Sequence, residues 1–187
     1  MRSVTNALRS LALLAILFMT TSAHAATCPA LLQHSFRSLQ DDKPQDLCQY
    51  AGKVILVVNT ASHGGFSPQE RGLQALLGKY GPKGFVVLGF PSNDFHQELS
   101  DPSRIVQFSR STYGASFPLF APSHVTGAHA NPLFAQLIQA SGTQPKWNFY
   151  KYLIGRDGRV IAAYSSLTTP SDADLNAAIV RALAQRP

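Results

Sequence analysis

The chain has 187 residues, 45% of them hydrophobic, with 16 Lys and Arg against 10 Asp and Glu, for a formal net charge of +6. That length suits one domain with a full core. The basic excess is scattered among acidic residues without a Lys/Arg run, so nucleic-acid binding, which needs a clustered basic stripe, is not indicated.

Residues 1–25 read as a secretory signal. Arg2 and Arg9 give a positive start, Leu11 to Met19 form a short apolar run, and Ala23-His24-Ala25 offers small residues at the two positions a signal peptidase reads. The run is too short to span a bilayer, so cleavage rather than a membrane anchor is expected. Ala25-Ala26-Thr27 before Cys28 is a poor lipidation context. Removing 25 of 187 residues leaves 162, as a domain over 26–187, and the loss of Arg2 and Arg9 lowers the net charge from +6 to +4. The expected destination is the periplasm.

Cys28 and Cys48 are the only cysteines. In an oxidising compartment an even count reads most simply as a disulfide. A redox-active pair is the alternative, for which the C-x-x-C spacing is missing.

Along the chain, Val54 to Val58 is a continuous apolar run, the mark of a strand buried on both faces. Ser67 is placed to cap a helix with Pro68 in its first turn and Leu73, Leu76 and Leu77 at helical spacing. Gly81-Pro82-Lys83-Gly84 ends it, and Phe85 to Phe90 forms a second buried strand. The polar loop Ser92 to Asp101 is long enough to carry function. Asp101-Pro102 starts a helix with Ile105, Val106 and Phe108 as its apolar positions.

Phe117 to Phe120 reads as a short strand or extended turn, and Pro132 to Ile138 as a helix. Tyr150 to Ile154 and Val160 to Tyr164 flank an Asp157-Gly158 hairpin turn. Ser171 is expected to cap a last helix bearing Leu175, Ile179, Val180 and Leu183. The order predicts an α/β fold: a central mixed sheet of parallel strands with an antiparallel edge pair and helices on both faces, the thioredoxin-like plan.

After the first buried strand come Asn59-Thr60-Ala61-Ser62-His63-Gly64-Gly65-Phe66-Ser67-Pro68-Gln69. Gly84 to Pro91, Tyr113-Gly114, Phe117-Pro118 and Lys146-Trp147-Asn148-Phe149 follow in order. From about Leu47 to Ala184 the chain resembles the glutathione peroxidases. In that family a reactive cysteine or selenocysteine attacks the peroxide O–O bond, and a glutamine, a tryptophan and an asparagine hydrogen-bond its ionised form.

Carried over by motif, the nucleophile position is Gly64, the glutamine position is assigned to Asp94, and Trp147 and Asn148 keep the other two. The family's Phe-Pro-Cys-Asn stands here as Phe90-Pro91-Ser92-Asn93, and the resolving cysteine position is Ser109. A glycine can neither attack peroxide nor become a sulfenic acid. The resemblance therefore implies a peroxidase frame whose thiol chemistry is lost, acting as a non-catalytic binding or scaffold domain in the envelope.

The alternative is an active peroxidase, serving in oxidative stress and reducing hydroperoxides with a thiol donor through Cys28 and Cys48 or through a metal. His63, His96, His124 and His129 raise the metal option, but no pair has i, i+2 or i, i+4 spacing, so neither a metal site nor a cofactor is expected. Ser62 and Ser67 lack the redox-active atom that peroxide reduction needs, and cap formation is the role expected for Ser67. Trp147 and Asn148 also admit a purely packing role. The short stretch from Asn131 to Trp147 resembles that of monomeric members, and no residue supports glutathione as partner.

Overall fold

The computed structural model describes residues 27–186; the expected signal, residues 1–25, lies outside them. A four-stranded sheet forms the centre: β3 (Val54–Thr60), β4 (Phe85–Pro91), β5 (Lys151–Ile154) and β6 (Val160–Tyr164), in the spatial order β4-β3-β5-β6. Ahead of it lies a small antiparallel hairpin of β1 (Ser35–Arg37) and β2 (Pro44–Asp46). β3 pairs with β4 in parallel and with β5 antiparallel, and β5 pairs antiparallel with β6. The sheet is mixed, as the order of elements predicts. β5 and β6 form the expected antiparallel pair at one edge, with β6 outermost.

All seven β3 residues are buried because each face of the strand meets its own core. Val54, Leu56 and Val58 pack with Leu73 and Leu76 of α1 (Gln69–Tyr80) and with Leu175 and Ile179 of α4 (Ala173–Ala184). Ile55 and Val57 point the other way, into a cluster with Leu133, Phe134 and Leu137 of α3 (Pro132–Ser141) and with Leu31 and Leu32. The period of two along the strand sorts these residues into two layers of helix, one on each face.

The outer side of β4 is met by the Phe117–Phe120 segment, where the Gly89 N–H donates to the Pro118 carbonyl at 2.9 Å and the Phe120 N–H to the Gly89 carbonyl at 3.0 Å. The approach needs a glycine, since a Cβ at Gly89 would lie 2.6 Å from Leu119 Cδ2. Leu119 is bridged to Gly89 in parallel, so the segment behaves as a fragment of strand.

Two helix starts differ from the sequence reading. The Ser67 hydroxyl donates to the Ala61 carbonyl at 2.9 Å, and the start of α1 has no side-chain cap. Ser67 thus ties the helix entrance back to the strand end, which its near-complete burial reflects. At α4 the cap is Asp172, whose Oδ1 accepts from the Leu175 N–H at 3.0 Å, rather than Ser171. Asp101 and Asn131 cap α2 (Pro102–Tyr113) and α3 through their side chains.

Cys28 and Cys48 are joined as a disulfide that closes a 20-residue separation and fastens the start of the described residues beside the Leu31–Leu32 cluster. Among the described residues no helix is long and apolar enough to cross a membrane.

Candidate functional site

β3 runs straight into the turn that leads to α1, so the turn is built from whatever leaves the strand's carboxyl end. Asn59, the last but one strand residue, is fully buried and organises a second segment around itself. Its Nδ2 donates to the Trp147 carbonyl at 3.0 Å, and its Oδ1 accepts from the Tyr150 N–H at 2.9 Å. The Phe149 N–H donates to its backbone carbonyl at 2.7 Å. One amide therefore holds Trp147, Asn148 and Phe149 against the end of β3, with Phe149 in a left-handed conformation at φ 64°.

Gly64 sits in this turn at φ +116°, a backbone region that L side chains rarely adopt. The Gln97 side chain lies directly over it: a Cβ at Gly64 would be 2.8 Å from Gln97 Cδ. Gln97 is held from both sides. Its Oε1 accepts from Asn148 Nδ2 at 3.1 Å, and its carbonyl accepts from the His63 N–H at 2.9 Å. Asn148 is buried, while Trp147 is 40% exposed with its ring 5.5 Å from that of Phe95.

The amide beside Gly64 is thus Gln97, and not Asp94 as the motif carry-over assigned. Asp94 faces the other way. Its Oδ2 accepts from the Val125 and Thr126 N–H groups at 2.7 and 3.2 Å, and its Oδ1 is bonded to His124 Nδ1 at 2.5 Å. Burial on its own would raise the Asp94 carboxyl, but those donors outweigh it and hold it below the usual aspartate range. Asp94 and His124 line an open cleft of about 530 Å³ with Asn93, His96, Pro122 and Ser123.

The remaining sequence candidates separate. Ser92 is buried at the end of β4, where its N–H donates to the Thr60 carbonyl. Ser109 is buried on the inner side of α2, beside Glu70. His63 lies next to Gly64 with its ring 6.1 Å from that of Phe108, whereas His124 and His129 are 6.2 Å apart on the Asp94 side. Among the described residues no group of three or more His, Cys, Asp or Glu is arranged to hold a metal ion.

Cys48 precedes β3 and Gly64 follows it. A seven-residue strand spans about 20 Å, which keeps the disulfide away from the turn.

Two acids that sequence reading passed over belong to the same region. Glu98 Oε1 accepts from the Ser62 N–H at 3.0 Å and from the Leu99 N–H at 2.7 Å, clamping the Ser92 to Asp101 loop onto the turn. Glu70, in the first turn of α1, is almost entirely buried. Burial pushes the Glu70 carboxyl up to about 7, and burial also raises Glu98.

Gln97 carries a sequence signal, being the loop's one glutamine. Glu70 is hidden in a helical first turn, where an acid reads as an ordinary partner of the helix dipole.

A mixed sheet between helix layers, with a strand-to-helix turn covered by Gln97 and braced through it by Asn148, defines a thioredoxin-like domain of the thiol-peroxidase type. The glutathione peroxidase family profile matches residues 32–138. A hydroperoxy fatty acid reductase of Synechocystis is 44% identical, with the match covering 71% of this chain and 85% of the relative. The chain belongs to the glutathione peroxidase family.

The crystal structure of Trgpx in its apo form superposes with a TM-score of 0.66 at 36% identity, covering 83% of this chain and 97% of that one. A thioredoxin family thiol:disulfide interchange protein of Chlorobium tepidum, at 17% identity and a TM-score of 0.60, shares the fold alone; the match covers 80% of this chain and 92% of that one.

Proposed function

We propose that this chain is a glutathione peroxidase family domain whose thiol-dependent hydroperoxide reduction is lost, and that it works as a non-catalytic binding or scaffold domain in the cell envelope. On this reading it is secreted across the inner membrane to the periplasm and acts as a monomer. One observation carries it: the position of the reactive sulfur is a glycine at φ +116° with the Gln97 carboxamide packed over it.

A simple loss of the sulfur atom would leave a turn that an L residue can occupy. This turn instead has a backbone suited to glycine and a side chain in the space a Cβ would need. Gln97 and Asn148 hold each other, Gln97 holds the turn and Trp147 packs on Phe95, which gives all three work without an ionised sulfur at the centre. The cysteines that remain are bonded to each other at the opposite end of β3.

A turnover assay tests the reading. The purified protein, given hydrogen peroxide or an organic hydroperoxide with a thiol donor, is expected to consume no peroxide above the buffer rate. Turnover that disappears in the Cys28→Ser/Cys48→Ser variant would assign activity to the cysteines and overturn the proposal. Turnover removed by a chelator would assign it to a metal, with the same consequence.

A further inference from the structure

The Asp94 cleft carries a pair of histidines that the Gly64 turn does not use. His124 and His129 stand on one loop that is closed on itself. The Asn131 N–H donates to the His124 carbonyl at 2.8 Å, Asn131 Nδ2 donates to Ser123 Oγ at 2.9 Å, and the Ala130 N–H donates to the Gly127 carbonyl at 3.3 Å. Val125, between the two histidines, is fully buried. The backbone that presents both rings is thus held in place, while the rings themselves are exposed.

Asp94 sets the tautomer of His124. Its side chain is only 9% exposed, its Oδ2 accepts from the Val125 and Thr126 N–H groups, and its Oδ1 is bonded to His124 Nδ1. Two backbone donors favour the ionised carboxylate, and an ionised carboxylate can only accept, so the proton of that bond sits on Nδ1. In the neutral imidazole Nε2 is then a free lone pair on a side chain that is 66% exposed. A carboxylate behind one ring nitrogen is the arrangement that orients metal-binding imidazoles and raises the basicity of the other nitrogen.

The ring centres of His124 and His129 are 6.2 Å apart. Two imidazoles on one tetrahedral ion, with metal–nitrogen bonds of about 2.0–2.1 Å, hold their ring centres roughly 5 Å apart, so a movement of about 1 Å by exposed side chains closes the pair on an ion. We propose that His124 and His129 form a two-histidine site for a divalent metal ion of the zinc class, with Asp94 as the positioning residue behind His124 and solvent completing the shell.

Imidazole ligands suit such ions, whereas magnesium and calcium take oxygen. His96 lines the same cleft as His124, but among the described residues no three of His, Cys, Asp or Glu are arranged around one ion, so the protein supplies two ligands. The two histidines are five positions apart, outside the i, i+2 and i, i+4 patterns, and it is the closed loop that pairs them. Zinc has no redox chemistry of its own, so its binding here is independent of whether the Gly64 turn reduces peroxide.

Calorimetric titration of the tag-free protein with zinc chloride tests the site. One ion per chain is expected, with binding unchanged by an excess of magnesium chloride. His124→Ala and His129→Ala, both at exposed positions, are each expected to weaken it by at least about 10-fold, and Asp94→Asn by about 10–100-fold. His63→Ala, beside Gly64, is expected to bind as the natural protein does. In heteronuclear NMR of the imidazole nitrogens, zinc is expected to shift His124 Nε2 while Nδ1 keeps its proton, a signature that mere loosening of the loop does not give. No zinc uptake by the natural protein, uptake undiminished in folded His124→Ala or His129→Ala, loss of uptake in His63→Ala, or displacement by magnesium would overturn the proposal.

Discussion

At the residue scale the decisive quantity is a backbone angle. With φ at +116°, any L residue at position 64 is strained by about 1–3 kcal/mol. The Gln97 amide must also be displaced, which its flexible side chain allows. Gly64→Cys is accordingly expected to lower unfolding stability by that amount in a urea titration, without creating robust peroxidase turnover. Gly65→Ala supplies the control, because no atom lies within 4 Å of a Cβ there and its φ is not in the left-handed region; its effect is expected to stay within about 1 kcal/mol.

The empty nucleophile position was legible in the sequence, as were Trp147 and Asn148. The third partner was not. A loop of ten residues runs from Ser92 to Asp101, and a motif ending at Asn93 does not reveal which later side chain returns to the turn. Asp94 follows the motif directly, yet the two N–H groups at Val125 and Thr126 draw it to the opposite side.

At the element scale, strands and helices with long apolar patterns were readable, and short or tertiary-held features were not. β3 announces itself by five apolar residues in a row, whereas β1 and β2 are three residues each with mixed burial, too short for a period to show. Ser67 and Ser171 look like caps because local spacing permits it. The Ala61 carbonyl draws the Ser67 hydroxyl away, leaving α1 without a side-chain cap, and the neighbouring Asp172 caps α4 in place of Ser171.

Asn59 is the join between elements. Asn59→Ala leaves the Trp147 carbonyl and the Tyr150 N–H without their partners, so a loss of about 2–4 kcal/mol is expected in chemical denaturation. Its effect on Trp147 emission should match that of loosening the segment.

The disulfide acts on a different element, the start of the described chain. Its removal in Cys28→Ser/Cys48→Ser is expected to cost about 3 kcal/mol in the chain-entropy account of a 20-residue loop. The Trp147 environment should remain unchanged, because the disulfide lies at the other end of β3.

At the scale of the whole molecule, two buried ionisable groups set how stability follows pH. Lys151 is fully buried in β5, its Nζ donating to the Phe149 carbonyl at 2.7 Å, and burial lowers its pKa to about 7. Nothing in a strand of mixed apolar and polar residues announces this, since lysine is ordinarily left at the surface.

Between about pH 7 and the ordinary lysine value of 10.5 the unfolded chain holds the Lys151 proton that the folded chain has released, so stability rises with pH across that window. Glu70 works in the opposite sense. Between its ordinary value of 4.5 and about 7 the folded protein holds the proton, so stability falls as pH rises there. The two slopes meet near neutrality, and each group contributes on the order of a few kcal/mol. Urea denaturation from pH 4.5 to 10 is expected to give a minimum near pH 7. Lys151→Met should flatten the alkaline limb and Glu70→Gln the acidic limb.

The fold itself, a mixed sheet between helices, follows from the order of apolar runs and is conserved in outline from the crystal structure of Trgpx at 36% identity. Reaction with peroxide does not follow from the fold. A single-turnover experiment addresses it most directly: the purified protein, mixed with a stoichiometric amount of hydroperoxide without any thiol donor, is quenched over time and assayed for remaining peroxide and for intact mass. The account predicts peroxide loss no faster than in buffer and an unchanged mass. Rapid, stoichiometric peroxide consumption with one oxygen added to the chain would contradict it.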